Sequence, residues 1–192
     1  MNTSSFGKAT VIIIIVTAVA FLAAFSSGVP ATQNLMAPWS ALAFVIVGCT
    51  LWIGGGPRIA GPAWHRVGAI LVFAIGAILC GEYLFHASST AFDRLLFPTL
   101  LPRDIPLPGR PAQIAGFRYV LLGLMLWLLR TGNRRLVLAR EWIAVTILTL
   151  SYFGFIAVMS TWGTAAPDSI SPFAAILGIL AAANVLVRLV RR

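Results

Sequence analysis

Six stretches of this chain are too long and too apolar to be at home in water. They run Ala9–Val29, Ala37–Gly54, Val67–Ser88, Ala112–Leu129, Trp142–Trp162 and Ile170–Leu189. A run of about 18 or more apolar residues with few charges is long enough to cross the hydrocarbon core of a bilayer as a helix. No water is available there, so each backbone N–H and C=O must find its partner inside the segment. The expected fold class is an all-α integral membrane protein with six transmembrane helices, both termini on the cytoplasmic side. Composition agrees: 59% of the residues are hydrophobic and 10% charged, where a soluble domain carries about 25% charged residues.

A net charge of +9 raises the question of nucleic acid, and the placement of the charges answers it. With a cytoplasmic N-terminus, Lys8, Arg58, Arg66, Arg130, Arg134, Arg135, Arg140, Arg188, Arg191 and Arg192 all fall on the inner side. Arg94, Arg103 and Arg110 fall outside, beside Asp93 and Asp104, and Arg118 lies within a span. That asymmetry follows the positive-inside rule. Anionic lipid on the cytoplasmic leaflet is the expected partner of the basic side, and nucleic acid is not expected. The first span is too long for a signal-peptide core and is expected to be retained.

Two segments repeat one pattern. "MAPWSALAFVIVGCTLW" (36–52) aligns without gaps to "PAQIAGFRYVLLGLMLW" (111–127), with Phe44 on Tyr119, Gly48 on Gly123 and Trp52 on Trp127. A weaker third copy is "ISPFAAILGILAAANVL" (170–186). Each copy follows a helix running the other way, so three helical hairpins are expected. Proline near each start suits a first helical turn, where a missing N–H costs nothing. Gly68, Gly76, Gly81, Ala174, Gly178 and Ala182 form small-residue stripes that allow close helix packing. Trp39, Trp64, Trp142 and Trp162 fall near span ends, as an aromatic belt requires. Cys49 and Cys80 lie within spans and read as buried thiols. Glu141 reads as an acid at a helix start.

The loop at 89–111, "STAFDRLLFPTLLPRDIPLPGRP", departs from the short connections elsewhere. Phe92, Leu95 and Leu96 can face one way while Asp93 and Arg94 face the other, as in a short helix lying on the outer leaflet. Such a loop serves equally as a lid over the bundle.

The region from "EYLFH" through "FDRLLFP", "PGRPAQIAGFRYVLLGLMLWLL" included, resembles a membrane-integral sensor region found ahead of PAS, histidine-kinase and diguanylate-cyclase modules in bacteria. That group carries a Glu-Tyr-Leu-Phe-Gly span end, an "IDxLLF" segment and a Pro-Gly-Arg-Met-Ala-Pro-Asn-Thr-Ala-Leu helix start. "LMAPWSALAFVIVG" resembles its "MxPNTALxFLLxG". Here His86 stands for the usual Gly, Pro111 for the Met and "QIAGFR" for "PNTALA". The resemblance implies a multi-pass module of the bacterial inner membrane with a sensory role. The chain stops at "RLVRR", so an output domain is expected on a separate signalling protein.

The candidate site is a cluster of polar residues in the outer half of the membrane. Glu82 lies about 9 Å below its span's outer end and Arg118 at a comparable depth in the next span. Buried charges in lipid pair with one another or line a wet cavity, so Glu82 and Arg118 are expected to meet. His86 stands one turn above Glu82, with Tyr83 and Tyr119 nearby in sequence. The pair reads either as a tie between helices or as a site for a small or lipid-like ligand. No metal-ligand spacing, cofactor motif or catalytic set is present, and an enzyme is not expected. Three classes remain: a non-enzymatic sensor-like module, an accessory or assembly subunit bound to other membrane subunits, and a small transporter or membrane enzyme, the last disfavoured by its sparse polar chemistry.

Overall fold

The computed structural model describes residues 3–27, 36–55, 62–84, 113–160 and 171–189. Among these residues the chain is all-helical. Its helices are α1 (Thr3–Ser26), α2 (Pro38–Gly55), α3 (Pro62–Leu84), α4 (Gln113–Trp127), α5 (Arg134–Ser160) and α6 (Pro172–Leu189), with a 3-10 turn, Leu128–Arg130, closing α4. The interfacial segment carrying Phe92, Asp93, Arg94, Leu95 and Leu96, together with His86 and Trp162, lies outside the described residues.

Helices adjacent in sequence pack against one another, and α1 also packs against α6, so the six form a closed ring. The most extensive contacts are within the pairs α3–α4, α5–α6 and α1–α2, which are the three hairpins the repeat implies. Across the interior α2 touches both α4 and α6. The three repeat segments are thus α2, α4 and α6.

The remaining three, α1, α3 and α5, contain the stretches long and apolar enough to cross a membrane: Ser5–Ser26, Trp64–Leu84 and Arg134–Ser160. Each buries only about a third or less of its apolar length, at 28%, 33% and 28%. What remains outside is extensive apolar surface, including Ile12, Ile13, Val16, Ile70, Leu71, Phe73, Phe153 and Ile156. In water such a surface would be a severe liability. Against lipid it has no cost.

Packing is closest between α3 and α4. A Cβ added to Gly76 would run into the backbone of Gly116, Tyr119 and Val120, and one on Gly123 would strike the Phe73 backbone at 2.6 Å. Glycine permits this approach, and dispersion contact drives it where lipid removes any hydrophobic gain. The α2–α3 corner is built likewise, with Gly68 against the Thr50 hydroxyl group. Gly81 differs from the expected stripe, since nothing lies within 4 Å of a Cβ there.

Polar bonds close the ring at one end. The Asn184 amide donates to the Gly7 carbonyl at 2.8 Å and to Thr10 Oγ1 at 3.0 Å, joining α6 to α1. Arg140, 2% exposed, donates from Nη1 to the Leu129 carbonyl at 2.9 Å and satisfies the end of the 3-10 turn. At the same end the Arg66 guanidinium lies 5.7 Å from the Trp127 ring centroid. Lys8, Arg66, Arg130, Arg134, Arg135 and Arg140 therefore gather at one end of the bundle.

Three expectations need correction. The helix containing Glu141 begins at Arg134, not near Glu141, because Asn133 caps it: Asn133 Oδ1 accepts the Arg135 N–H at 3.0 Å, as an N-cap side chain does. Trp39 is not an outward anchor but is 5% exposed in the core, whereas Trp64 and Trp142 do face outward. Cys49 is exposed on the outside of α2, while Cys80 is half-buried, and both are free thiols.

Candidate functional site

In the repeat alignment Phe44, Tyr119 and Gly178 occupy one position in α2, α4 and α6. The structure gives that coincidence a meaning. The Phe44 and Tyr119 rings meet edge to face, 5.8 Å between centroids. A Cβ at Gly178 would lie 2.5 Å from Ser151 Oγ and 3.5 Å from Arg118 Cδ. The third repeat therefore contributes no side chain here, and the room it leaves holds the Arg118 stem and the Ser151 hydroxyl.

Arg118 is 1% exposed, and Tyr119 and Ser151 are each 0% exposed. The guanidinium carbon sits 5.8 Å from the Phe44 centroid and 5.6 Å from that of Tyr119. Cations within about 6 Å of an aromatic centroid are attracted by the ring quadrupole, worth about 2 kcal/mol when desolvated. Hydrogen bonding is another matter. Nε, Nη1 and Nη2 of Arg118, the Tyr119 hydroxyl and Ser151 Oγ are all buried without a hydrogen-bond partner among the described residues. Counting along α4 from Arg130, the Arg118 Cα lies ~18 Å from the basic end.

Glu82 goes elsewhere. It is half-buried at the far end of α3 and lines a small groove with Trp39, Ile75, Ile78 and Leu79, between α2 and α3. The antiparallel register is set by Gly116 against Leu79 and Cys80, and by Gly123 against Phe73. It places Glu82 about one helical turn, ~5 Å or more, beyond the level of Arg118. The expected Glu82–Arg118 pair is not made. Equal depth along two sequences does not fix rotation, and α4 turns Arg118 inward toward α2, α5 and α6 while Glu82 faces α2. Tyr83 is half-buried next to Glu82 in the chain, and the same register puts it ~9 Å beyond the level of Tyr119.

Sequence reading did not single out Ser151. Ser151 is one hydroxyl among several in its segment, with Thr146, Thr149 and Tyr152 close by, and its place against Gly178 is visible only once α5 is packed on α6. His65 is 2% exposed, and its Nε2 is buried without a hydrogen-bond partner among the described residues. Among the described residues no three His, Cys, Asp or Glu side chains come together.

Fold and site together define an all-helical membrane protein with a buried, donor-rich polar centre. No protein-family model matches the chain, and neither any curated protein nor any solved structure is significantly similar to it.

Proposed function

We propose that this protein is a non-enzymatic, sensor-like module of the bacterial inner membrane, crossing it six times with both termini cytoplasmic, and binding a small or lipid-like ligand within the bundle. One observation carries the reading: an unpartnered guanidinium at the point where all three hairpins converge, through Phe44 of α2, Arg118 and Tyr119 of α4, and Ser151 and Gly178 of α5 and α6. A ligand held there touches each hairpin at once. Binding that favours one arrangement of the hairpins over another shifts their populations, which is the physical requirement of a sensor. The resemblance of residues 36–130 to bacterial sensor regions supports the same reading, and the gathering of basic residues at one end of the bundle supports the orientation.

A second reading has its own support. The same unpartnered arginine suits an accessory subunit whose missing acceptor arrives from another membrane subunit. Purification of the tagged protein from its native membrane in mild detergent, with mass spectrometry of everything retained, separates the two. Association with a signalling kinase or cyclase is the expected result. A fixed-ratio set of subunits of one membrane complex would replace the sensor reading with the accessory one.

A further inference from the structure

We propose that Arg118, Tyr119 and Ser151 form a binding site for a monovalent carboxylate. The proposal rests on the reading of the bundle interior as a ligand site and names the chemistry that site accepts. Three properties of the cluster select the class.

A guanidinium keeps its charge in proteins even when buried. Removing it from water without a counter-charge costs several kcal/mol, and an arginine in the membrane interior therefore requires a partner. The aromatic contacts with Phe44 and Tyr119 supply part of the stabilisation. They leave all three nitrogens without a hydrogen-bond acceptor. The N–H groups of a guanidinium lie in its plane as a fork, and a carboxylate matches that fork with two parallel bonds.

The flanking groups fit the same occupant. The Tyr119 and Ser151 hydroxyls are buried and unpartnered, and each can donate a further hydrogen bond to a carboxylate oxygen. The cluster contains a single positive charge, which a monoanion neutralises. A phosphate dianion would leave a net negative charge in a site lined by Phe44 and the backbone of Gly178. Neither described carboxylate of the chain fills the role. Glu82 lies in the Trp39 groove, and Glu141 sits beside Arg140, ten residues or ~15 Å along α5 from Ser151.

The carboxylate can come from a short water-soluble acid or from the head of a fatty acid dissolved in the bilayer. The test uses the full chain in nanodiscs of zwitterionic lipid, with radiolabelled acetate and radiolabelled laurate as separate probes. Saturable one-to-one binding of either probe is expected. Acetate binding would assign the site to a soluble acid and laurate binding alone to a membrane-borne one. Arg118→Gln is expected to weaken binding at least ~30-fold, and Ser151→Ala about 3- to 10-fold. No saturable binding of either probe, or unchanged affinity in both variants, would overturn the proposal. If Arg118→Gln fails to fold, as judged by circular dichroism and gel filtration, the Tyr119→Phe/Ser151→Ala double variant decides, and unchanged affinity there sinks it. Native mass spectrometry of protein taken from its own membrane separates this failure from that of the broader reading. A bound species without a carboxylate, lost in the double variant, would overturn the carboxylate assignment while leaving a ligand-binding module. An empty protein with no saturable probe binding would remove both.

Discussion

The Arg118 guanidinium rests 5.8 Å from the centre of the Phe44 ring, and no hydrogen-bond acceptor among the described residues reaches any of its nitrogens. A buried cation held by ring faces alone is poised for an anion and is costly without one.

That cost is measurable. Even a buried ion pair can often be replaced by apolar side chains of similar volume at no cost or with a gain of about 1–4 kcal/mol, and a buried charge without a counter-charge has still less to lose. Arg118→Met is expected to match or exceed the unliganded wild type in resistance to denaturation in detergent. Added carboxylate should raise the wild-type midpoint and leave the variant unchanged. A variant that unfolds several degrees earlier than unliganded wild type would mean that Arg118 is already satisfied by a partner outside the described residues.

Gly178→Ala tests the close approach that the third repeat allows. Its Cβ would fall 2.5 Å from Ser151 Oγ and 3.5 Å from Arg118 Cδ, an overpacking expected to cost about 1–3 kcal/mol. Ser151→Ala removes the closer atom. The double variant should therefore recover most of the loss, a non-additivity that contacting residues show. Simple addition of the two effects would argue against the contact.

The glycines between α3 and α4 should be unforgiving in a different way. Gly76→Ala meets backbone on α4 rather than a side-chain tip, so no single truncation can relieve it. A loss of about 2 kcal/mol or more is expected. Gly81→Ala, five residues along the same helix with nothing within 4 Å, should be neutral or slightly stabilising, since alanine is the better helix former. Equal behaviour of the two variants in a steric-trap or denaturant series would contradict the packing.

Closure of the ring rests partly on the bonds from Asn184 to Gly7 and Thr10. Interhelical hydrogen bonds in membranes average about 0.6 kcal/mol by double-mutant cycle. A cycle of Asn184→Ala with Thr10→Ala should give a coupling of that order. Zero coupling would mean that the Asn184–Thr10 bond adds nothing to the joining of α1 and α6, leaving the bond to the Gly7 carbonyl and apolar packing.

The element inventory was legible in the chain because apolar length in lipid leaves little choice of structure. Runs such as Ala37–Gly54 and Ile170–Leu189 became α2 and α6 almost unchanged. Their ends were less legible. α5 starts at Arg134 because Asn133 caps it, a local signal that hydropathy does not register. The repeat linking Phe44 to Tyr119 was visible as letters, and its purpose, bringing those rings together at 5.8 Å, was not.

Sequence by itself determined that this chain is helical, that it belongs in a membrane, and that Arg118 is a charge in an apolar segment needing a partner. Tertiary structure alone decided which way that charge turns. Depth follows from counting residues, but the direction of a side chain depends on how each helix is rotated against its neighbours. Here that rotation is set by the glycine contacts between α3 and α4. It leaves Glu82 beside Trp39 and carries Arg118 inward to Phe44, Tyr119 and Ser151, where no single segment of the sequence would have placed it.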